Sequence, residues 1–439
     1  MKFGVEIQRS LLRKQIKIIN TYYSVMLDNM NSLRITKFEY FIVFLLIVMC
    51  GFTSGDIIPA KSYFLSIMCI IYLVKRKNNQ EIKPLLTLII GYWIIGIMHY
   101  IEYKYYSSKC IIDRPLLMLA GFYVIDKLNY RFKYAYMNIM TVIAGISLLF
   151  YSIMVLTGYV PSLSFLEKPY YKGVFIFNMR INEIANHRNC GPFWEPGAFA
   201  GYLLMVGLMF FNQLDILWRE YKKKCVILLL ALFSTLSSQG YLALGLLILL
   251  YYLRSHFNLK TILAIFGFGI IAYFSYIQFD FLREKVNDQL ELAADWESNE
   301  SLQSANRFST TLLDIYYIEK SPIIGNTDNL QIRYADHPFI LRTIDNKGSY
   351  GSGSGTSSAM ASYGIPLFIL WLYLTFKAFN RSYSRREAIF SLLFIVILGS
   401  AEAYNGYILY LSFPFLILGN KKGVNIIRHG KNKHYNCNI

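Results

Sequence analysis

The sequence predicts an all-α polytopic membrane protein with about twelve transmembrane helices and a large, partly helical extracytoplasmic loop. Three observations predict it. Hydrophobic residues make up 55% of the 439-residue chain and aromatic residues 17%. Charged residues supply 16%, against about 25% in a soluble globular domain. The apolar residues also gather into long runs, and a run of roughly 18 or more reads as a helix that crosses a bilayer.

The runs fall near 38–54, 60–74, 84–101, 111–126, 134–157, 192–212, 225–237, 240–253, 261–280, 358–376, 387–401 and 404–419. They divide the chain into a basic N-terminal segment (1–37), N-terminal transmembrane helices (38–157), a core (158–420) with outer loops 158–191 and 281–357, and a basic tail (421–439). Residues 1–37 carry no signal-peptide pattern. Within them, 5–27 mixes Ile, Leu and Tyr with Arg9, Arg13, Lys14 and Lys17, which suits a helix lying on the membrane surface or a plain basic tail.

The net charge of +17 would suggest nucleic acid in a soluble protein. Here most of the Lys and Arg lie in short loops between apolar runs, where they set orientation and meet anionic lipid, so nucleic-acid binding is not expected. With the N-terminus inside, Lys75, Arg76 and Lys77, then Lys127, Arg131 and Lys133, then Lys222, Lys223 and Lys224, and finally Arg381, Arg385 and Arg386 all fall on the inner side. The short loops 55–59 and 402–405 have no Lys or Arg, which agrees with both termini in the cytoplasm.

The long loop 281–357 shows helical spacing of apolar residues over 281–296 and 304–319, and its end, 348–355, is a Gly/Ser-rich linker. A small helical subdomain is expected there. No internal repeat of the kind that marks many transporters is visible.

The chemistry-bearing stretch is His187-Arg188-Asn189-Cys190-Gly191-Pro192-Phe193-Trp194-Glu195-Pro196-Gly197. Pro196 disfavours helix at Glu195 and suits a helix's first turn, which places Glu195 at a helix end. Gly197 and Gly201 permit close approach of a second helix. Arg180, Arg188, Arg307, Arg333 and Arg342 map outside, against the orientation bias, and guanidinium groups bind phosphate bidentately. His337 can act as a base near neutral pH, with Asp336 beside it to raise its basicity. Ser237-Ser238-Gln239-Gly240 forms a polar turn, and Asp113 with Arg114 reads as a local interface pair. Six cysteines show no metal spacing, and Cys110 and Cys190 both map to outer loops where a disulfide is conceivable.

In order and placement these segments resemble the O-antigen polymerase (Wzy-type) and O-antigen ligase superfamily. Arg188-x-x-Gly191-x-Phe193-x-Glu195-Pro196 is similar to its Arg, Gly, Glu-Pro motif. Ser237-Ser238-Gln239-Gly240 stands where the family often has Ser-Arg, and Gln239 departs from that. Asn306-Arg307 followed by Ser321-Pro322-Ile323-Ile324-Gly325 is similar to its Arg, helix, Pro, Gly pattern. His337 and then Tyr363-Gly364-Ile365 match its closing His and Tyr-Gly segment. The spacings Arg180-x10-Gly191 and Arg342-x10-Gly353 are also like those of polymerase loops. The resemblance covers about 175–370.

The resemblance implies a metal-independent glycosyltransferase without cofactor. Its donor is a growing glycan on undecaprenyl diphosphate, and its acceptor is the next lipid-linked repeat. On that pattern Arg188 and Arg307 stabilise the departing diphosphate. Arg180, Arg342, Arg333 and Gln239 contact substrate, His337 is the base and Glu195 organises the arginines. It further implies the bacterial cytoplasmic (inner) membrane with the site facing the periplasm, and a flippase and a chain-length regulator as partners in that membrane. The alternatives are an O-antigen ligase acting on lipid A core, a Gram-positive capsule polymerase, and a polysaccharide flippase or transporter.

Overall fold

The computed structural model describes residues 34–55, 61–75, 82–163, 171–180, 187–254, 307–347 and 354–419, with a few single positions between them. The expected segments at 5–27, 261–280, 281–296 and 421–439, and most of the linker 348–355, lie outside the described residues.

The chain is mostly helical from its first described turn. Helix α1 (Lys37–Val48) begins on a capping box in which the Thr36 hydroxyl accepts from the Glu39 amide and the Glu39 carboxylate accepts from the Thr36 amide. Glu39 also takes two nitrogens of Arg131, at 2.7 and 3.1 Å, which ties the start of α1 to a distant turn. Helix α2 (Lys61–Lys75) follows, and then α3 (Lys83–Tyr103). Twenty-one residues at about 1.5 Å each make α3 roughly 31 Å long, enough for a hydrocarbon core of about 30 Å. It is apolar on both faces: Leu85, Leu88 and Ile89 are buried, while Leu86, Ile90 and Ile97 are exposed. That all-round apolarity suits a buried helix or one that crosses a membrane.

A π-turn (Lys109–Asp113) leads into α4 (Arg114–Leu128) and α5 (Phe132–Thr157). Asn129, in the left-handed region at φ 53°, separates α4 from α5. The Tyr72 hydroxyl bonds Asp126 at 2.7 Å and the Ser66 hydroxyl bonds the Leu116 carbonyl at 2.8 Å, which fastens α2 along α4.

Loop 158–191 contributes an antiparallel hairpin, β1 (Tyr171–Val174) and β2 (Phe177–Arg180), so the expected all-α fold gains two short strands. Asn178 locks the hairpin onto the chain ahead of the next helix, its Nδ2 reaching the carbonyls of Gly191 (3.1 Å) and Phe193 (3.2 Å). The core continues with α6 (Pro196–Met209), α7 (Leu214–Glu220), α8 (Lys222–Ser234) and α9 (Ser238–Leu253).

The loop beyond supplies α10 (Arg307–Lys320), α11 (Leu330–Arg333) and α12 (Pro338–Lys347). Leu313, Tyr317, Tyr334 and Ile340 form a small core of their own there, as the helical spacing over 304–319 predicts. Helices α13 (Gly355–Tyr363), α14 (Ile365–Ser382) and α15 (Arg385–Ala401) return to the main body.

Two helical stretches among the described residues, Lys83–Tyr103 and Lys109–Thr157, are long and apolar enough to cross a membrane. A third is reached if α6 and the segment Phe211–Glu220, bent by 62°, count as one. This falls short of the dozen expected, for local reasons. The run 38–54 stops as a helix at Val48, and Gly51 turns the chain at φ 99°. The run 404–419 is no single helix. It is a turn at Tyr404–Gly406, four residues of α-helix at Ile408–Leu411, a further turn at Phe413–Phe415 and an extended end.

That last segment is buried throughout 408–416. Tyr404 lies edge-on to Tyr202 at 5.2 Å and donates to the carbonyls of Gly197 (3.0 Å) and Ala198 (3.2 Å). A Cβ at Gly201 would collide with the Tyr404 ring, and one at Gly197 with the Glu402 carboxylate. The glycine pair thus admits side chains of the 402–404 segment. The helix that approaches α6 does so at Gly240 of α9, packed on Ala200.

Candidate functional site

A cavity of about 300 Å³ opens between α3, the π-turn, the 328–333 segment, α13, α14 and residues 403–411. One wall is basic, with Lys109, Arg114 and Arg333. Another is aromatic, with Tyr92, Tyr363, Trp371 and Tyr410, and Asp328 is the carboxylate among the lining residues.

Arg114 enters at the start of α4, where Pro115 suits the first turn. Its Nη1 donates to the Gly406 carbonyl and its guanidinium stands 6.0 Å from the Tyr363 ring centre. Arg333, 3% exposed, ends α11. It makes an ion pair with Asp314 of α10, and its Nη1 donates to Ser362 at 3.0 Å. Asp314 also accepts from Ser357 at 2.7 Å. The Nε of each arginine is buried without a hydrogen-bond partner, and so is Oδ1 of Asn405. Two guanidinium groups in one cavity wall suit a ligand rich in acceptor oxygens. Lys109, its side chain half exposed, adds charge at the rim.

The expected site residues separate into groups. Arg333 lines the cavity. Glu195 precedes α6 in extended backbone, as Pro196 predicts, and its side chain accepts from Trp194 Nε1 at 3.2 Å and makes no cap hydrogen bond. Arg188 is half-buried, with Nε 3.4 Å from the Thr235 carbonyl at the α8–α9 turn. Gln239, in the first turn of α9, faces Gly197. Arg180 closes β2 opposite Tyr171, whose phenol burial pushes up, with Arg180 opposing and Glu195 adding to that shift. Tyr407 stacks on Trp194 at 4.7 Å, next to the Gly406 whose carbonyl accepts from Arg114, so this corner adjoins the cavity.

Arg342 is exposed on α12. Arg307 opens α10, and its side chain lies outside the described residues. His337 is half-buried and is not among the residues lining the cavity. Its ring meets Tyr316 and Tyr317 edge-on at 5.7 and 5.9 Å, and its buried Nε2 has no hydrogen-bond partner.

The expected service of Asp336 to His337 is replaced by another arrangement. One face of α10 presents Tyr316, Tyr317 and Lys320, and the Asp336 carboxylate accepts from the two hydroxyls at 3.1 and 2.5 Å and pairs with the ammonium. Burial alone would raise this carboxyl, but Lys320 and the two tyrosines outweigh it and hold it at about 2. Cys110 and Cys190 are buried thiols, not halves of a disulfide.

The sequence reading missed Arg114, Lys109, Asp328 and Asp314. Arg114 and Asp113 sit side by side in the chain, which suggested a local pair, whereas the hydrogen bond of Arg114 goes to Gly406, 292 positions away. Its one local signal is an arginine at the end of an apolar run. No family model matches this chain, and no curated protein matches it.

Proposed function

We propose that this chain is a multi-spanning membrane glycosyltransferase that polymerises O-antigen or a related surface polysaccharide, moving a growing glycan from undecaprenyl diphosphate to the next lipid-linked repeat. The observation that carries the proposal is the cavity wall in which Arg114, Arg333 and Lys109 gather positive charge beside aromatic faces. Ionisable groups at the depth of an apolar bundle are costly and mark substrate paths.

In such a transfer the acceptor hydroxyl attacks the anomeric carbon, the bond to the diphosphate breaks, and negative charge grows on the leaving phosphate. Fixed guanidinium charge placed where that charge develops is the main requirement. Arg114 and Arg333 supply it, with Lys109 at the rim, and the tyrosine and tryptophan faces hold the sugars. Glu195 borders this cavity through Trp194 and Tyr407, whose neighbour Gly406 accepts from Arg114. The basic inner loops support about twelve crossings, some by helices under 18 residues, with both termini in the cytoplasm and the cavity opening outward.

The test is purified protein in lipid nanodiscs with a lipid-linked repeat, read as a glycan ladder. Wild type forms the ladder, and Arg114→Ala slows it by about 10²–10³-fold, the usual cost of one donor at a developing oxyanion. A ladder unaffected by Arg114→Ala, or none from any diphosphate-linked donor, overturns the proposal.

A further inference from the structure

Beside the cavity, three residues that the transfer does not use come together from distant parts of the chain. His99 lies near the end of α3, Cys110 in the π-turn, and Asp328 just before α11. One ligand atom from each lies within 4.8 Å of the others. His99 and Cys110 are fully buried, and the Asp328 side chain is 5% exposed.

The histidine decides the chemistry. Its Nε2 is 2.8 Å from the Ile324 carbonyl, which accepts only from an N–H, so the proton sits on Nε2. Nδ1 then carries a lone pair, and Nδ1 has no hydrogen-bond partner. An imidazole with one N–H held by a backbone carbonyl and the other nitrogen bare is oriented as metal-binding histidines are.

The surroundings fix the other two donors. The Ser107 hydroxyl bonds Asp328 Oδ1 at 2.5 Å and accepts from the Cys110 amide at 3.2 Å, so one side chain sets both. The Tyr103 hydroxyl holds the Gly325 carbonyl at 3.0 Å, which keeps the 324–328 segment against α3. Gly96 lies one turn before His99 on the same face, and a Cβ there would press on Cys110 at 3.0 Å and on Ile111 at 2.6 Å. The glycine lets the turn carrying Cys110 come close. The opposing influence is Lys109, 3.5 Å from Asp328, but its side chain is half exposed and can swing into solvent.

We propose that His99 Nδ1, Cys110 Sγ and the Asp328 carboxylate bind a divalent zinc ion, with the fourth position toward the cavity that Asp328 lines. A nitrogen, a thiolate and a carboxylate suit zinc, which takes four such ligands in a tetrahedron. On binding, the Cys110 thiol gives up its proton to solvent and the thiolate bonds the metal. The ion clasps the 307–347 unit to α3 and to the π-turn that leads to Arg114. This role is independent of the proposed glycan transfer.

Cobalt(II) is the probe, since a cobalt–thiolate bond absorbs in the near ultraviolet. The full chain, stripped by chelator and held in detergent, is titrated in a Cys437→Ser background so that the tail thiol cannot answer. A single cobalt per chain should give the thiolate band, and zinc should abolish it. Cys110→Ser should lose the band while helix content by circular dichroism is kept. His99→Gln and Asp328→Asn should each weaken binding by about tenfold or more. Zinc should also raise the unfolding temperature of the parent but not of His99→Gln. If Cys110→Ser does not fold, Asp328→Asn, which keeps the thiol, decides. The absence of the band in the parent, or full cobalt affinity in Asp328→Asn, overturns the site.

Discussion

The neighbourhoods of Arg333 and Arg188 both place a guanidinium beside packed helices, and they use it in different ways. Arg333 is buried in the cavity wall with a carboxylate and a serine as partners. Arg188 is half-buried, and its Nε leans on a backbone carbonyl at the long distance of 3.4 Å. The contrast lies in burial and position: Arg333 is buried and lines the cavity, and Arg188 is half-buried and does not line it. A guanidinium held by Asp314 needs no reorganisation when a phosphate arrives.

The largest effect that tests this contrast is on stability. Arg333→Ala leaves Asp314 buried and uncompensated and should cost about 3–5 kcal/mol, read by thermal unfolding in detergent. Replacing both partners by apolar residues should recover most of the loss. Arg188→Ala should cost clearly less, and equal losses at the two sites would erase the distinction.

On activity, Arg114→Ala should slow ladder formation by about 10²–10³-fold, while Arg188→Ala should stay within about tenfold. The reverse order would move the chemistry to the Arg188 corner.

Packing gives a smaller effect. Gly201→Ala forces a methyl into the Tyr404 ring and should cost about 1–3 kcal/mol. Gly145→Ala on α5, where the nearest atom is 4.0 Å away, should be neutral or slightly stabilising.

The smallest effect is a pH response of the 307–347 unit. The Asp336 carboxyl is lowered from 3.8 to about 2, so the unfolded chain takes up a proton more readily than the folded one. Its stabilisation is complete above pH about 4 and is lost as pH falls from there through about 2. The carboxylate is over a third exposed, so solvent screens the contribution. Protease susceptibility of the unit should rise over that window in wild type and stay flat in Asp336→Asn.

Local signals were legible. Pro196 marked the start of α6, the apolar spacing over 304–319 became α10, and the apolar run 84–101 became a full-length helix. What the sequence concealed was long-range. Nothing in the order of residues joins His99 to Ile324, 225 positions on, or Ser107 to Asp328, 221 positions on. The same holds for Asp336, whose neighbour His337 suggested a dyad, while a face of α10 claimed it. The expected run 404–419 is a buried irregular segment, which apolarity alone does not separate from a helix.

That irregular segment has a consequence for biosynthesis. Gly406 meets Arg114, Tyr404 meets Gly197, and Ser412 sits where a side chain on Gly121 would stand. Helices α4 and α6 therefore wait for the 404–412 segment before their inner surfaces close. A message cut short ahead of residue 404 should yield a chain that inserts but never consolidates, and that quality-control proteases remove.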